Sequence, residues 1–127
     1  MRWLTVLAMG CAAPTDWWLS RPVDLAEFGL GCKTDPGPFD WRVGTGDGAL
    51  LVSVSDVPLE CEQDLRARVR RRGEDLEILL VAVGFIDPDE PCACYRDYSL
   101  QTPRPEDLGE VRLFFFDGQD TRQLGEM

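Results

Sequence analysis

The residues of this 127-residue chain best suited to chemistry are four cysteines, Cys32, Cys61, Cys92 and Cys94. A Cys92-Ala93-Cys94 pair with two further thiols has the ligand count of a structural zinc site, but Cys32 and Cys61 lack the compact spacing of a zinc knuckle. In an oxidising compartment the same four thiols close two disulfides. At strand geometry Cys92 and Cys94 face the same side, so each reaches for a distant partner rather than for the other. Histidine is absent, which removes the usual general base and the usual zinc ligand. No metal and no cofactor is expected.

Other candidates have simpler readings. Arg66, Arg68 and Arg70 project from one face of a strand and would suit an acidic ligand such as a phosphorylated glycan or lipopolysaccharide. Glu62, Asp64, Glu74, Asp75 and Glu77 surround the row and offset its field, which favours a solvated strand face with arginine stems covering apolar neighbours. Asp87, Asp89 and Glu90 lack the ligand and glycine pattern of an EF-hand, so they read as a polar, proline-stiffened connection. Thr45-Gly46-Asp47-Gly48 is not a phosphate cradle, because no lysine follows and the turn leads into a β-branched strand. With no glycine-flanked serine nucleophile, catalysis would have to come from a carboxylate pair on an open face, as in glycosidases.

The start of the chain carries a different chemistry. Met1-Arg2 gives a short positive region, Trp3 to Met9 an apolar run, and Gly10-Cys11 a small residue before a cysteine. This resembles a bacterial lipoprotein signal, with Ala8 where the motif favours leucine. The resemblance implies cleavage before Cys11 and a diacylglycerol on its sulfur. It also implies sorting to the outer membrane, since Ala12 is not the aspartate that retains lipoproteins at the inner one. With Cys11 lipidated, four cysteines remain for two bridges. The expected pairing is Cys61–Cys94 with Cys32–Cys92, the swapped pairing being the close alternative. Residues 1–10 are then a signal peptide and 11–22 a lipidated tether. Trp17 and Trp18 within it either meet lipid headgroups or cap an apolar patch of the domain.

The elements that must hold these residues read as strands. Leu65, Ala67 and Val69 alternate with the arginines, and Gly73-Glu74 offers a type II′ hairpin turn into a second strand ending at Val83. That register sets Val69 against Ile78 and Arg70 against Glu77. The second strand is apolar on both sides, Leu76, Ile78 and Leu80 on one and Leu79, Val81 and Val83 on the other, so it is interior and covered twice. Candidate covers for the second side are the Trp17-Trp18 segment and the arginine stems. Phe39, Trp41 and Val43, then Leu50, Val52 and Val54, show the same period of two. Further strands are expected over Tyr95 to Gln101 and Val111 to Phe116, with a 3₁₀ turn over Pro105 to Gly109. Ser20 to Gly29 fits either a short helix or an edge strand, and the tail 119–127 is expected to fray.

Asp107-x-Gly109-x-Val111 is similar to the E–F corner of immunoglobulin-like domains, with Val111 and Leu113 where that family carries tyrosine and cysteine. The expectation is one all-β domain over 23–118, a small antiparallel β-sandwich of about six strands stabilised by disulfides. A formal net charge of −10 argues against nucleic acid. The expected function is a non-catalytic binding or accessory module, lipid-anchored in the cell envelope, with an envelope protein or glycan as partner. A small envelope enzyme or enzyme inhibitor acting through surface carboxylates is the alternative. Residues that could bind are Arg66, Arg68, Arg70, Trp17 and Trp18.

Overall fold

The computed structural model describes Trp17 and residues 19–35, 37–90 and 92–127. The expected signal peptide, Cys11 and Trp18 lie outside the described residues. Four strands occupy the first half of the described chain: β1 (Arg21–Val23), β2 (Leu25–Lys33), β3 (Asp40–Gly46) and β4 (Ala49–Glu60). Five follow: β5 (Gln63–Arg72), β6 (Asp75–Gly84), β7 (Ala93–Pro103), β8 (Val111–Phe116) and β9 (Thr121–Glu126). The all-β, two-sheet, disulfide-stabilised class expected of a small β-sandwich is the class observed, with nine strands among the described residues rather than about six. Among the described residues no helix is long and apolar enough to cross a membrane.

The chain divides into two units, each built on one sheet. The first combines the described residues up to Val23 with Leu65–Val83 and Asp107–Met127, and its sheet runs β1-β5-β6-β8-β9. The β5–β6 hairpin turns at Gly73, whose φ of 65° is the left-handed value that the first residue of a type II′ turn requires. Arg70 Nε reaches Glu77 Oε1 at 2.7 Å, as the expected register demands. Every side chain from Leu76 to Val81 is buried, so β6 is covered on both faces. Leu79 and Val81 pack with Trp17, and half-buried Val83, Phe114 and Phe116 complete that cluster.

Two features of this sheet depart from expectation. β6 and β8 pair in parallel, Leu76 beside Val111 and Leu80 beside Phe115. The intervening β7 belongs to the other sheet, so the chain returns to β8 by a crossover and not by a hairpin. The tail does not fray: Thr121–Glu126 pairs with β8, and Val111 and Met127 exchange both backbone hydrogen bonds. Its sequence hid this because Thr-Arg-Gln-Leu-Gly-Glu is an exposed, mostly polar edge with no buried alternation.

The second unit covers Asp24–Asp64 and Gly84–Glu106, and its sheet runs β2-β7-β4-β3. The β3–β4 hairpin turns on Asp47 and Gly48, with φ of 50° and 77°, the two left-handed residues of a type I′ turn. β4 is irregular between Val54 and Val57, where Asp56 also takes a left-handed φ of 57°. Leu50, Val52 and Val54 are buried before this bulge and Val57 and Leu59 after it, so the extra residue switches the parity and keeps the apolar side chains on one face. The Ser20 to Gly29 stretch is not helical; it forms β1 and most of β2.

Two disulfides tie this unit, and their connectivity is the swapped alternative and not the first expected pairing: Cys32 bonds Cys94 and Cys61 bonds Cys92, with Cα separations of 5.0 and 5.4 Å. The expected Cys61–Cys94 bridge assumed that the hairpin strand after Cys61 set the geometry. Instead β4, the strand before it, is the neighbour of β7. Their ladder sets Leu59 against Cys94 and Glu60 against Ala93, and the Cys61 N–H donates to the Cys92 carbonyl at 2.9 Å. Cys61 therefore faces Cys92 directly, which leaves Cys94 for Cys32.

Candidate binding face of the four-stranded sheet

The alternation that buries Leu50, Val52 and Val54 turns Leu51, Ser53 and Ser55 outward. Cross-strand pairing then assembles rows of outward residues. Arg42 pairs with Ser53, Ser53 with Ser99, and Ser99 with Ala26, so one row crosses all four strands. Gly44, Leu51 and Gln101 form the next row. Small side chains at the centre leave a shallow trough of about 1020 Å³. Hydroxyls at Ser53 and Ser99, the Gln101 amide and the Arg42 guanidinium supply hydrogen bonds, while Leu51 supplies apolar contact. The one carboxylate of the trough lining, among the described residues, is Asp24.

Two residues along β7 from Ser99, on the same face, Asp97 begins an ion-paired cluster. Lys33, the only lysine of the chain, sits 2.5 Å from Asp56 Oδ1 and 2.8 Å from Asp97 Oδ1. The Asp56 N–H also donates to Asp97 at 2.9 Å. Both bulges of the sheet converge here, one between Phe28 and Lys33 and the other at Asp56. Gly29 must remain glycine, since its φ is 83° and a Cβ would stand 2.9 Å from Asp97 Oδ2. Hydrogen bonds to Asp56 and then Asp97 hold the Lys33 ammonium above its ordinary pKa. Burial pushes the Asp97 carboxyl up, but the Lys33 and Asp56 hydrogen bonds outweigh it and hold the group below the usual carboxylate range. The Lys33 ammonium thus bridges both carboxylates where the two bulges meet and ties the local backbone together. Beside them Phe28 is exposed.

The arginine row lies on the other sheet and is not one continuous stripe. Arg66 is exposed, whereas Arg68 and Arg70 are half-buried and engaged with their own unit. Arg68 donates from Nε to the Ser20 hydroxyl and from its terminal nitrogen to the Ser20 carbonyl, both at 2.6 Å. Arg70 lies over the Trp17 ring at 3.8 Å while pairing with Glu77. Trp17 meets Phe114 edge to face at 5.6 Å, and its carbonyl accepts hydrogen bonds from both the Ser20 N–H and hydroxyl. Of its two expected places, Trp17 therefore occupies the second, as the cap of an apolar patch, and the arginine stems help to cover the same side of β6.

No family model, curated protein or solved structure matches the chain. Sequence reasoning did not single out the trough, because serine, glycine and alanine carry no chemical signature until a sheet order makes them neighbours. The outward alternation of Leu51, Ser53 and Ser55 was readable; that Ser99 of β7 would lie beside Ser53 was not.

Proposed function

We propose that this chain is a non-catalytic binding or accessory module of the cell envelope, anchored by lipid on Cys11, that receives an extended glycan or peptide segment in the trough of its four-stranded sheet. The observation that carries the reading is the trough itself: shallow, about 1020 Å³, with hydrogen-bonding groups interleaved among apolar ones across four strands. The exposed Phe28 on the same face adds an aromatic surface of the kind that sugars and peptide side chains stack on. The neighbouring acids Asp56 and Asp97 are held by Lys33, which supports binding over acid–base chemistry. The anchor is supported by the Gly10-Cys11 signal and by the even number of cysteines left for bridges.

The test has two arms. Metabolic labelling with a fatty acid should mark the wild-type chain and not Cys11→Ala; an unlabelled wild-type chain overturns the anchor. In the second arm, the intact lipoprotein is used to recover partners from detergent-solubilised envelope, alongside Ser99→Arg, which fills the trough from an outward position. Recovery lost in Ser99→Arg and kept in Arg66→Ala supports the trough. Equal recovery by both variants refutes it.

A further inference from the structure

Cys32, Cys61 and Cys94 bring their sulfurs within 4.8 Å of one another, and Cys92 is bonded to Cys61. The two disulfides are therefore neighbours, three of their sulfurs forming one cluster and the fourth bonded to a member of it. A tetrahedral zinc tetrathiolate, with Zn–S bonds of about 2.3 Å, needs sulfurs about 3.8 Å apart. Three of the four sulfurs already lie within 4.8 Å of one another, and the fourth, Cys92, starts bonded to one of them, Cys61, so rotation of the cysteine side chains after reduction, with Cys92 brought in from beside Cys61, is what the tetrathiolate requires.

The geometry points to a redox-gated metal site: when both disulfides are reduced, Cys32, Cys61, Cys92 and Cys94 bind one zinc ion as a tetrathiolate. Each disulfide takes up two electrons and two protons to give two thiols, either from a dithiol that becomes a disulfide or from a phosphine and one water that become a phosphine oxide. The ion then displaces four protons as four zinc–sulfur bonds form. No redox change occurs at the metal. Re-oxidation by a disulfide or oxygen removes the thiolates and releases the ion.

Three further features favour this. The cage does not depend on the S–S bonds for its shape. Cys61 and Cys92 are joined by a backbone hydrogen bond of 2.9 Å, Cys94 sits in the β4–β7 ladder opposite Leu59, and Cys32 adjoins the Lys33–Tyr95 pair of β2 and β7. Cys32 and Cys94 thus sit within β2 and β7, and Cys61 and Cys92 directly adjoin the ends of β4 and β7, so the backbone ladder keeps the four together after reduction. The charge is also provided for: four thiolates on Zn²⁺ leave a net −2, and the Arg96 guanidinium is fixed alongside, donating to the carbonyls of Gln63 at 2.9 Å and Cys61 at 3.3 Å. An entry route exists as well. Glu60, Glu62, Asp87 and Glu90 line a hollow of about 380 Å³ that opens onto Cys61 and Cys92, and its acidity concentrates divalent cations there. Sequence spacing argued against zinc because the four cysteines are scattered along the chain; the fold cancels that objection.

The probe is Zn²⁺ itself, with Co²⁺ as its spectroscopic stand-in. The chain carries Cys11→Ala so that the only thiols are the four in question. It is reduced anaerobically with a water-soluble phosphine, freed of reductant and titrated. One ion per chain is expected, with thiolate-to-cobalt charge-transfer bands and tetrahedral cobalt absorption displaced by zinc. Each single Cys→Ser variant should weaken zinc binding at least about 100-fold. If the reduced chain loses its strand signal, zinc should restore it. Failure to bind, failure to restore the fold, or binding unaffected by Cys94→Ser each overturns the site. Equal binding by the oxidised chain also overturns it, since the acidic hollow would then be the ligand and the sulfurs irrelevant.

Discussion

Replacing Trp17 by alanine tests the claim that this one side chain closes the second face of β6. Trp17 is 1% exposed, so nearly its whole side chain leaves water on folding. A tryptophan buries about 200 Å², which at roughly 25 cal/mol per Å² corresponds to about 5 kcal/mol as an upper value. Measured truncations of buried tryptophan run about 3–5 kcal/mol. The edge contact with Phe114 and the Arg70 cation over the ring each contribute about 1 kcal/mol within that figure, not on top of it. The expected destabilisation is about 4 kcal/mol, against a total of about 5–15 kcal/mol for a domain of this kind. Urea unfolding followed by circular dichroism measures it, with the slope unchanged and the midpoint lowered. Trp17→Phe keeps part of the cover and should lose about 1–2 kcal/mol, so the series is readable even if the alanine variant is barely folded. A loss below about 1 kcal/mol for Trp17→Ala refutes the cover. So does an Arg70→Ala effect that is the same in the wild-type and Trp17→Ala backgrounds, because the two side chains touch and must couple.

Three other outcomes follow from the geometry. Peptide mapping without reductant should recover Cys32 linked to Cys94 and Cys61 linked to Cys92; each bridge is worth roughly 4 kcal/mol by loop entropy, so reduction should lower the melting temperature, and a Cys61–Cys94 peptide would refute the β4–β7 register. Arg68→Ala should lose about 1–2 kcal/mol, because it leaves two Ser20 oxygens without their charged donor, while Arg66→Ala stays within about 0.5; equal effects would mean that the Ser20 contact is not made. Stability should be flat from about pH 5 to 9 and fall on either side. The Asp75 carboxyl is held below its ordinary value by the Glu110 N–H and by Arg112, Asp117 by the Asp120 and Gln119 N–H groups, and Asp97 as described. Their contribution is present above the unfolded carboxylate value of about 3.9 and is lost as pH falls through the lower folded values. Lys33 is raised, so its share is full below about pH 10.4 and is lost above it; acid titration of the melting temperature showing no decline below pH 4 would contradict the carboxylate part.

The elements legible in the sequence were those whose signals are local. The β5–β6 hairpin could be read because a strict period of two meets a glycine-first turn, and β6 announced its double burial by being apolar from Leu76 to Val83 at every position but Glu77. The glycines of β2 obscured that strand: Gly29 and Gly31 both take left-handed φ values, 83° and 78°, at a bulge that no pattern of hydrophobicity foretells. Pairing partners were illegible for a different reason. Nothing in Val111–Phe116 says that it will run parallel to β6, and nothing near Cys61 says that its neighbour is reached through β4. The disulfide assignment failed on that single point, since Cys61 and Cys92 pair through a ladder whose register is set by the whole of β4. The trough inherits the same difficulty, being made of residues from four strands that acquire meaning only once ordered.

The parallel pairing of β6 with β8 has a consequence for how the chain is made. β6 leaves the ribosome with β5 available on one side only, and its other neighbour begins at Val111, after the whole of β7. Until then Leu76-Glu77-Ile78-Leu79-Leu80-Val81 presents an unpaired edge with a single charge, the composition of an aggregation-prone segment. Its second face waits as well, because Phe114 and Phe116, which share the cluster with Trp17, arrive with β8. The nascent chain therefore holds its most hydrophobic strand open until Val111–Phe116 has been made. That interval is the one during which a holdase chaperone is of most use to it.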